Sequence, residues 1–297
     1  MDVQVLDQET WQALGAAHQR RVDRYLQPHL ARRRAGQPHP VHDFLFTYYS
    51  QRPAALRRWH PGYGVALAGP AAAAYSSLKG YAGLPHPSAG EVVGVDPAYV
   101  ATQRPLVART RELLAATAAR PGNFGCFGLH EWAMVYRMRE DQTRHAAWPL
   151  RLGHEGTDRV VETQRICCSH FDAYRFFTPP ARPLNTLRPG PGDRAAFEQP
   201  SCLHATMDLY KHAYRLTPMV GSDLVADCFE LAWEVRELDM RASPYDLSDL
   251  GFQPVRIETP DGRREYADRQ RAFTERAAPL RERLVDRCDR LLAAEPG

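Results

Sequence analysis

The segment CLHATMDLYKH, residues 202–212, places His204, Asp208 and His212 four residues apart in a run that is typical of a helix. Because side chains with this spacing are neighbours on a helix surface, all three project from one face. A carboxylate between two imidazoles can orient both rings, act as a general base, or bind a metal ion. The same spacing also fits a polar stripe that is buried for packing or faces solvent, and both interpretations stay open.

Two further segments each contain a histidine close to a carboxylate. His130 and Glu131 are adjacent in LHEW, and SHFD contains His170 and Asp172. Histidine and carboxylate side chains on several helices are what a metal site in a helical bundle requires. The chain has no Glu-x-x-His pair, which argues against a di-iron centre of the usual kind. A metal-dependent interpretation takes iron as the cofactor and has these candidate ligands: His130, Glu131, His170, Asp172, His204, Asp208 and His212.

Acidic side chains recur in DCFELAWEVRELD, residues 227–239. Glu230, Glu234 and Glu237 fall near one face of the predicted helix. A stripe of this kind is usually solvated or paired with arginine. We therefore predict an exposed, ion-paired face here.

Aromatic and arginine side chains alternate in FLFTYYSQRPAALRRWH, and a further tryptophan follows Glu131. Aromatic rings can stack on bases while arginines hold phosphates, so this mixture is compatible with nucleic-acid binding. It is also what an ordinary core with surface arginines contains. The candidate nucleic-acid contacts are Tyr48, Tyr49, Arg52, Arg57, Arg58, Trp59 and Trp132.

Hydrophobic periodicity and breaker residues predict the elements that position these groups. We expect helices over 9–34, 99–120, 128–141, 202–212, 222–241 and 267–295, and small β-hairpins over 148–166 and 254–266. Residues 62–100 show weak periodicity and receive no assignment. The Pro- and Gly-rich segment 178–200 is predicted to be a mobile loop. The whole chain, 1–297, is therefore predicted to be a single, mainly α domain with two small hairpins.

Composition places the chain among ordinary globular proteins. Its formal charge of +3, from 38 basic and 35 acidic residues, is too small to require a polyanionic partner. None of the six cysteines forms a C-x-x-C pair, so a structural zinc site is not indicated. The N-terminal segment has an early acid and no apolar run, and no stretch is long enough to span a membrane. We expect a cytoplasmic protein with reduced thiols.

Five sequence segments together resemble a known protein family: HPVHDFLFTYYSQRPAALRRWHPG, FGCFGLHEWAMVYR, CSHFDAYRFFTPPARPLN, EQPSCLHATMDLYKHAYRL and LDMRASPYDL. Across nearly the whole chain the sequence resembles actinobacterial proteins labelled 3-methyladenine DNA glycosylase. It lacks the glycine motif of the helix-hairpin-helix glycosylases.

The resemblance implies a damaged-DNA partner, a base flipped out of the stack, and no cofactor or metal. A carboxylate would assist hydrolysis of the N-glycosidic bond. In this chain that carboxylate is Asp208, oriented by His204 and His212, with Glu131 and Asp172 as alternates.

Three hypotheses about function follow. The first is a DNA-repair N-glycosylase that removes alkylated purines. The second is a non-haem metal-dependent enzyme of the iron oxygenase type. The third is a non-enzymatic scaffold in which the polar helix faces are structural. The sequence leaves the oligomeric state open.

Overall fold

The computed structural model describes residues 3–139 and 147–294. These residues are mainly α-helical and include one four-stranded sheet, so the predicted fold class is confirmed. Within these ranges, no helix is long and apolar enough to cross a membrane.

The N-terminal part of the chain is built around one long helix. Strand β1 (Gln4–Leu6) leads directly into α1 (Gln8–Arg34). The Asp7 side chain accepts a hydrogen bond of 2.8 Å from the backbone N–H of Thr10 and so caps the helix. Two short helices follow, α2 (Phe44–Thr47) and α3 (Pro53–Arg57).

Three of the four strands of the sheet lie in the segment 62–100, which the sequence left unassigned. The sheet comprises β1 with β2 (Val65–Leu67), β3 (Tyr81–His86) and β4 (Gly90–Val95), and α4 (Ala73–Ser76) lies between β2 and β3. The strand order is β1-β2-β4-β3, with β1 and β2 parallel and the other pairs antiparallel. Gly90 has φ = 71°, a conformation that glycine adopts without strain, where the chain turns from β3 into β4.

The remaining helices form the body of the molecule. They are α5 (Pro97–Ala118), α6 (Leu129–Ala133), α7 (Gly153–Thr163), α8 (Phe171–Tyr174), α9 (Arg194–Phe197), α10 (Leu203–Arg215), α11 (Ser222–Arg241) and α12 (Pro260–Ala293). Helix α10 packs on α11 and α12, and α5 packs on α12. Met207, Phe229 and Leu284 are fully buried in the core between these helices. Helices α10 and α11 are therefore the central elements around which the rest is arranged.

Most of the long predicted helices are confirmed to within a few residues. Those predicted over 9–34, 99–120, 222–241 and 267–295 correspond to α1, α5, α11 and α12, and that over 202–212 extends to Arg215 as α10. The helix predicted over 128–141 is shorter, since α6 ends at Ala133. Residues 140, 141 and 295 lie outside the described residues.

Both predicted hairpins are wrong. Residues 153–163 form α7, because Thr157, Val160 and Val161 bury one helical face that the glycines nearby obscure in the sequence. The second hairpin was placed on its Pro-Asp-Gly turn, but this turn is the first turn of α12. There Thr259 caps the helix by accepting a hydrogen bond from Gly262 N–H at 3.1 Å, and Pro260 occupies the first helical position.

The Pro- and Gly-rich segment 178–200 is irregular apart from α9 and a 3-10 turn, Arg182–Leu184. It is nevertheless tied to the core through the buried side chain of Asn185. The Asn185 amide accepts from Cys168 N–H at 2.7 Å and donates to the Cys168 carbonyl at 2.9 Å. The predicted mobility of the segment stays a prediction.

The start of α12 allows a test of this packing. A Cβ atom at Gly262 would lie 1.9 Å from the Arg256 carbonyl oxygen, so the backbone would have to move. We expect Gly262→Ala to lower the free energy of unfolding by about 1–3 kcal/mol, measured by urea denaturation. Gly192→Ala is the control because nothing lies within 4 Å of its Cβ position. Equal stability of the two variants would contradict this account of the helix start.

Candidate active site

A pocket of about 560 Å³ opens above the central helices. Phe44 and Tyr48 from the α2 region form one wall, and Trp148 and Phe176 contribute from other parts of the chain. Polar side chains of the lining come from α6, α8, α10 and α11, from the residue after α8, and from residues in and before α2: Glu131, Asp172, His204, Arg236, Arg175, His39, Asp43 and Thr47. The pocket is therefore aromatic at its sides and charged at its floor, as many small-molecule sites are.

Beneath the floor, His130, His204 and Asp239 converge from α6, α10 and α11. One potential ligand atom from each residue lies within 4.8 Å of those of the other two. His130 Nε2 is 2.9 Å from Asp239 Oδ1, and the rings of His130 and His204 meet edge-on with their centroids 4.5 Å apart. We call these three residues the floor triad.

Arg236 holds the floor triad in place from one side. Its guanidinium donates from Nη1 to Glu131 Oε1 at 3.0 Å and to Asp239 Oδ2 at 2.6 Å. Arg236 and Asp239 lie one turn apart on α11, and both are buried. Each oxygen of Asp239 therefore has its own partner, and the orientation of the carboxylate is fixed.

Burial and neighbouring charges set the protonation of the triad. Burial alone would raise the pKa of Asp239, but the His130 and Arg236 charges outweigh it and hold that pKa well below its ordinary value. Burial, together with the charge of His130, holds the pKa of His204 well below its ordinary value. His204 is therefore neutral near pH 7 and has a lone pair that can act as a base or a ligand.

A second charged cluster lies next to the triad. Asp208 Oδ2 is 2.7 Å from Arg194 Nη2, 3.2 Å from Lys211 Nζ and 3.3 Å from His170 Nε2. Arg194 also pairs with Glu198. We call the group formed by His170, Arg194, Glu198, Asp208 and Lys211 the anchor cluster. It joins α10 to the segment that precedes it, and the His170 ring centroid is 5.4 Å from that of His204.

The predicted face of α10 is thus divided among different environments. His204 belongs to the floor triad, whereas Asp208 is enclosed behind it by two cations, Arg194 and Lys211, and by the His170 ring. His212 is buried outside both groups, and burial lowers its pKa to about 3. The three side chains share a helix but lie in three different environments.

The other predicted acid, base and ligand residues lie in these two groups or directly beside them. Glu131 lies at the pocket floor beside Arg236, and His130 is in the triad. His170 is in the anchor cluster, and Asp172 connects the cluster to the pocket through Lys211 Nζ at 3.0 Å. Of the seven candidate ligands, only His130 and His204 belong to the floor triad.

Asp239 and Arg236 are among the site residues that sequence reasoning missed, as are Arg175 and three members of the anchor cluster: Arg194, Glu198 and Lys211. Asp239 and Arg236 both belong to the stretch that was predicted to be an exposed acidic stripe. The ion pairing is confirmed for four other residues, which pair with Arg21, Arg276, Arg283 or His42: Asp227, Glu230, Glu234 and Glu237. Of these four, Glu234 is exposed and the other three are half-buried. The sequence did contain a signal for Asp239, which follows Arg236 in an Arg-x-x-Asp spacing. The apolar neighbours Val235, Leu238 and Met240 are all buried, so they indicate that this part of the helix faces the core.

The predicted nucleic-acid contacts are not gathered at one surface. Tyr48 lines the pocket, but Tyr49 and Trp132 are buried, and the Trp132 indole donates to the Ala242 carbonyl at 2.8 Å. The others lie near two different depressions. Arg52 lines one of them, and the second is lined by Arg57, Arg58 and Trp59. Arg57 is already paired with Asp23 at 2.8 Å.

No protein family model, curated protein or solved structure matches this chain. The case for a function therefore depends on the geometry of the pocket, the floor triad and the anchor cluster.

The anchor cluster makes the stability of the protein depend on one carboxylate. We expect Asp208→Asn to lower the free energy of unfolding by about 3–5 kcal/mol near pH 7, since Arg194 and Lys211 would lose their buried counter-charge. Burial would raise the Asp208 pKa, but His170 and Lys211 hold it well below 3.8. The stabilisation that ionised Asp208 provides is therefore complete above pH 3.8, the ordinary pKa of the group. It is lost as the pH falls through the lower pKa that Asp208 has in the folded protein.

Urea denaturation of both proteins, repeated in increasingly acidic buffers, measures this effect. The difference in unfolding free energy between wild type and Asp208→Asn should shrink as the solution is acidified. Asp249→Asn, at an exposed position, is the control and should change that free energy by less than about 0.5 kcal/mol. A difference that does not vary with pH would contradict the electrostatic role of Asp208.

Proposed function

We propose that this protein is a metal-dependent enzyme whose ion is held by His130, His204 and Asp239. The observation that carries the proposal is the convergence of the floor triad, with one ligand atom from each residue within 4.8 Å of the others. Two imidazoles and one carboxylate are the ligand set of many non-haem iron enzymes, in which the remaining coordination positions stay open. We therefore favour iron and an oxygenase-type reaction, in which O2 is the oxidant of an organic substrate.

The position of the triad supports a catalytic rather than a purely structural metal. His204 reaches the pocket itself, so an ion bound to it has a side that a pocket ligand can approach. A structural site is normally closed by protein ligands on all sides.

The surroundings of the triad have the character expected around metal ligands. Arg236 fixes the Asp239 carboxylate, and partners of this kind orient the ligands and tune their affinity. Glu131 lies beside the triad at the pocket floor, where its carboxylate can position a substrate or accept a proton.

A matched pair of variants on α10 tests the proposal. Protein produced with added iron, manganese and zinc should contain about one equivalent of one metal per chain by inductively coupled plasma mass spectrometry. We expect His204→Gln to lose that metal and His212→Gln to keep it, because both histidines are buried but only His204 belongs to the triad.

Circular dichroism on both variants confirms that they are folded. Wild-type protein without metal after anaerobic purification with Fe(II), or equal metal content in both variants, would refute the proposal.

A second candidate is the N-glycosylase that the family resemblance implies. The observation in its favour is that Glu131 and Asp172 both face an aromatic-walled pocket large enough for one flipped base. Such an enzyme hydrolyses the glycosidic bond with carboxylates and needs no metal.

Base release from methylated DNA in the presence of EDTA separates the two candidates. A glycosylase should release 3-methyladenine under these conditions, and Glu131→Gln should slow release by about 100-fold or more. His212→Gln, which lies outside the pocket lining, should keep the wild-type rate. No release by wild-type protein would eliminate the glycosylase candidate.

A further inference from the structure

We propose that the pocket selects a small aromatic carboxylate, with Arg175 binding the carboxylate and the Tyr48 wall holding the ring. The inference deepens the proposed function, since it names the substrate class for the same pocket. The recognition itself depends on the walls and the rim, which are separate from the floor triad.

The walls favour a flat, unsaturated ligand. The Phe44 and Tyr48 rings are stacked face to face, with centroids 4.8 Å apart and planes 7° apart, so the opposite face of Tyr48 is the one left for a ligand ring. The Phe176 ring stands roughly perpendicular to Tyr48 at 6.5 Å. A planar ring placed in this corner meets one aromatic face and one aromatic edge, both of which are favourable ring contacts.

The cations of the pocket argue against a positively charged ligand. Arg236 lies over the Phe44 ring, 4.2 Å from its centroid, and Arg175 lies over Phe176 at 4.5 Å. Two of the rings that would otherwise attract a ligand cation already contact a guanidinium. A second cation would approach those guanidiniums and be repelled.

The pocket carboxylates, in contrast, already have partners. Asp43 accepts from the backbone N–H of His39 at 2.8 Å, and the Arg32 guanidinium lies 3.8 Å from it. Glu131 is bound by Arg236, and Asp172 by Lys211 at 3.0 Å. None of the three is left as an unbalanced negative charge that would attract a cation.

Arg175 has spare capacity to bind an anion. Its Nε contacts Asp172 Oδ1 at the longer distance of 3.4 Å, and Lys211 already neutralises that carboxylate from the other side. The Arg175 side chain remains 44% exposed at the rim. A guanidinium binds a carboxylate through two parallel hydrogen bonds, so the anionic group of a ligand fits here while its ring extends toward the wall.

Three probes with one ring system test the inference: indole-3-acetate, indole-3-acetamide and tryptamine. They share the indole and differ in carrying a negative, a neutral or a positive group. By isothermal titration calorimetry on the full-length protein, we expect indole-3-acetate to bind at least about tenfold more tightly than the other two. Equal affinities, or a preference for tryptamine, would overturn the inference.

Two variants assign the roles within the pocket. Arg175→Gln should remove the preference for the acid while leaving the affinity for indole-3-acetamide unchanged. Tyr48→Ala should weaken all three probes, whereas Tyr48→Phe should retain them because the ring remains. Arg109→Gln, an exposed arginine on α5, is the control and should bind as wild type does. A preference for the acid that survives in Arg175→Gln would refute the role of Arg175.

The titrations are run on metal-loaded protein and again after treatment with EDTA. A preference for the acid in both, together with failure of the metal measurement above, supports the substrate class and rejects only the metal-dependent function. Metal-loaded protein that binds indole-3-acetate no better than indole-3-acetamide rejects the substrate class alone.

Discussion

The buried carboxylate of Asp239 is the constraint on which the centre of the molecule depends. A charge in the protein interior is costly unless it is paired and hydrogen-bonded. Here His130 from α6 and Arg236 from α11 each take one of its oxygens. These contacts fix the docking of α6 on α11, and the edge-on packing of His204 against His130 then fixes α10. The pocket floor has its shape because these contacts fix how α6, α10 and α11 pack against one another.

The two charged groups beneath the pocket serve different purposes. In the anchor cluster, Asp208 contacts His170, Arg194 and Lys211, and these contacts hold α10 to the segments around it. In the floor triad, His204 has one side open to the pocket. The anchor cluster behind the floor triad restrains the triad side chains, and rigid support of this kind is what accurate positioning requires.

Sequence periodicity was sufficient for the long helices because each buries a continuous apolar stripe. Periodicity failed at glycine and proline, because these residues are compatible with more than one local structure. The Pro-Asp-Gly sequence after Thr259 suits both a turn and a capped helix start, and tertiary packing selects the helix. The strands went unassigned because Ala, Gly and Pro interrupt the alternation that identifies a half-buried strand.

The site was partly predictable for a similar reason. The histidines and acids on α6 and α10 were identifiable as residue types with suitable chemistry. Their partners were not, since Asp239 is separated from His130 by 109 positions and Arg194 comes from the irregular segment before α10. Spacing within one helix made Asp208 the leading candidate, yet contacts between distant segments decide which carboxylate lies under the pocket.

That separation also has a consequence during synthesis. Domains assemble as the chain emerges from the ribosome, and distant contacts must wait for their last participant. His130 is translated long before Asp239, so the nascent chain carries histidines and thiols that no native partner yet covers. The centre closes only after α11 has emerged and docked, so the uncovered groups stay accessible to chaperones until then.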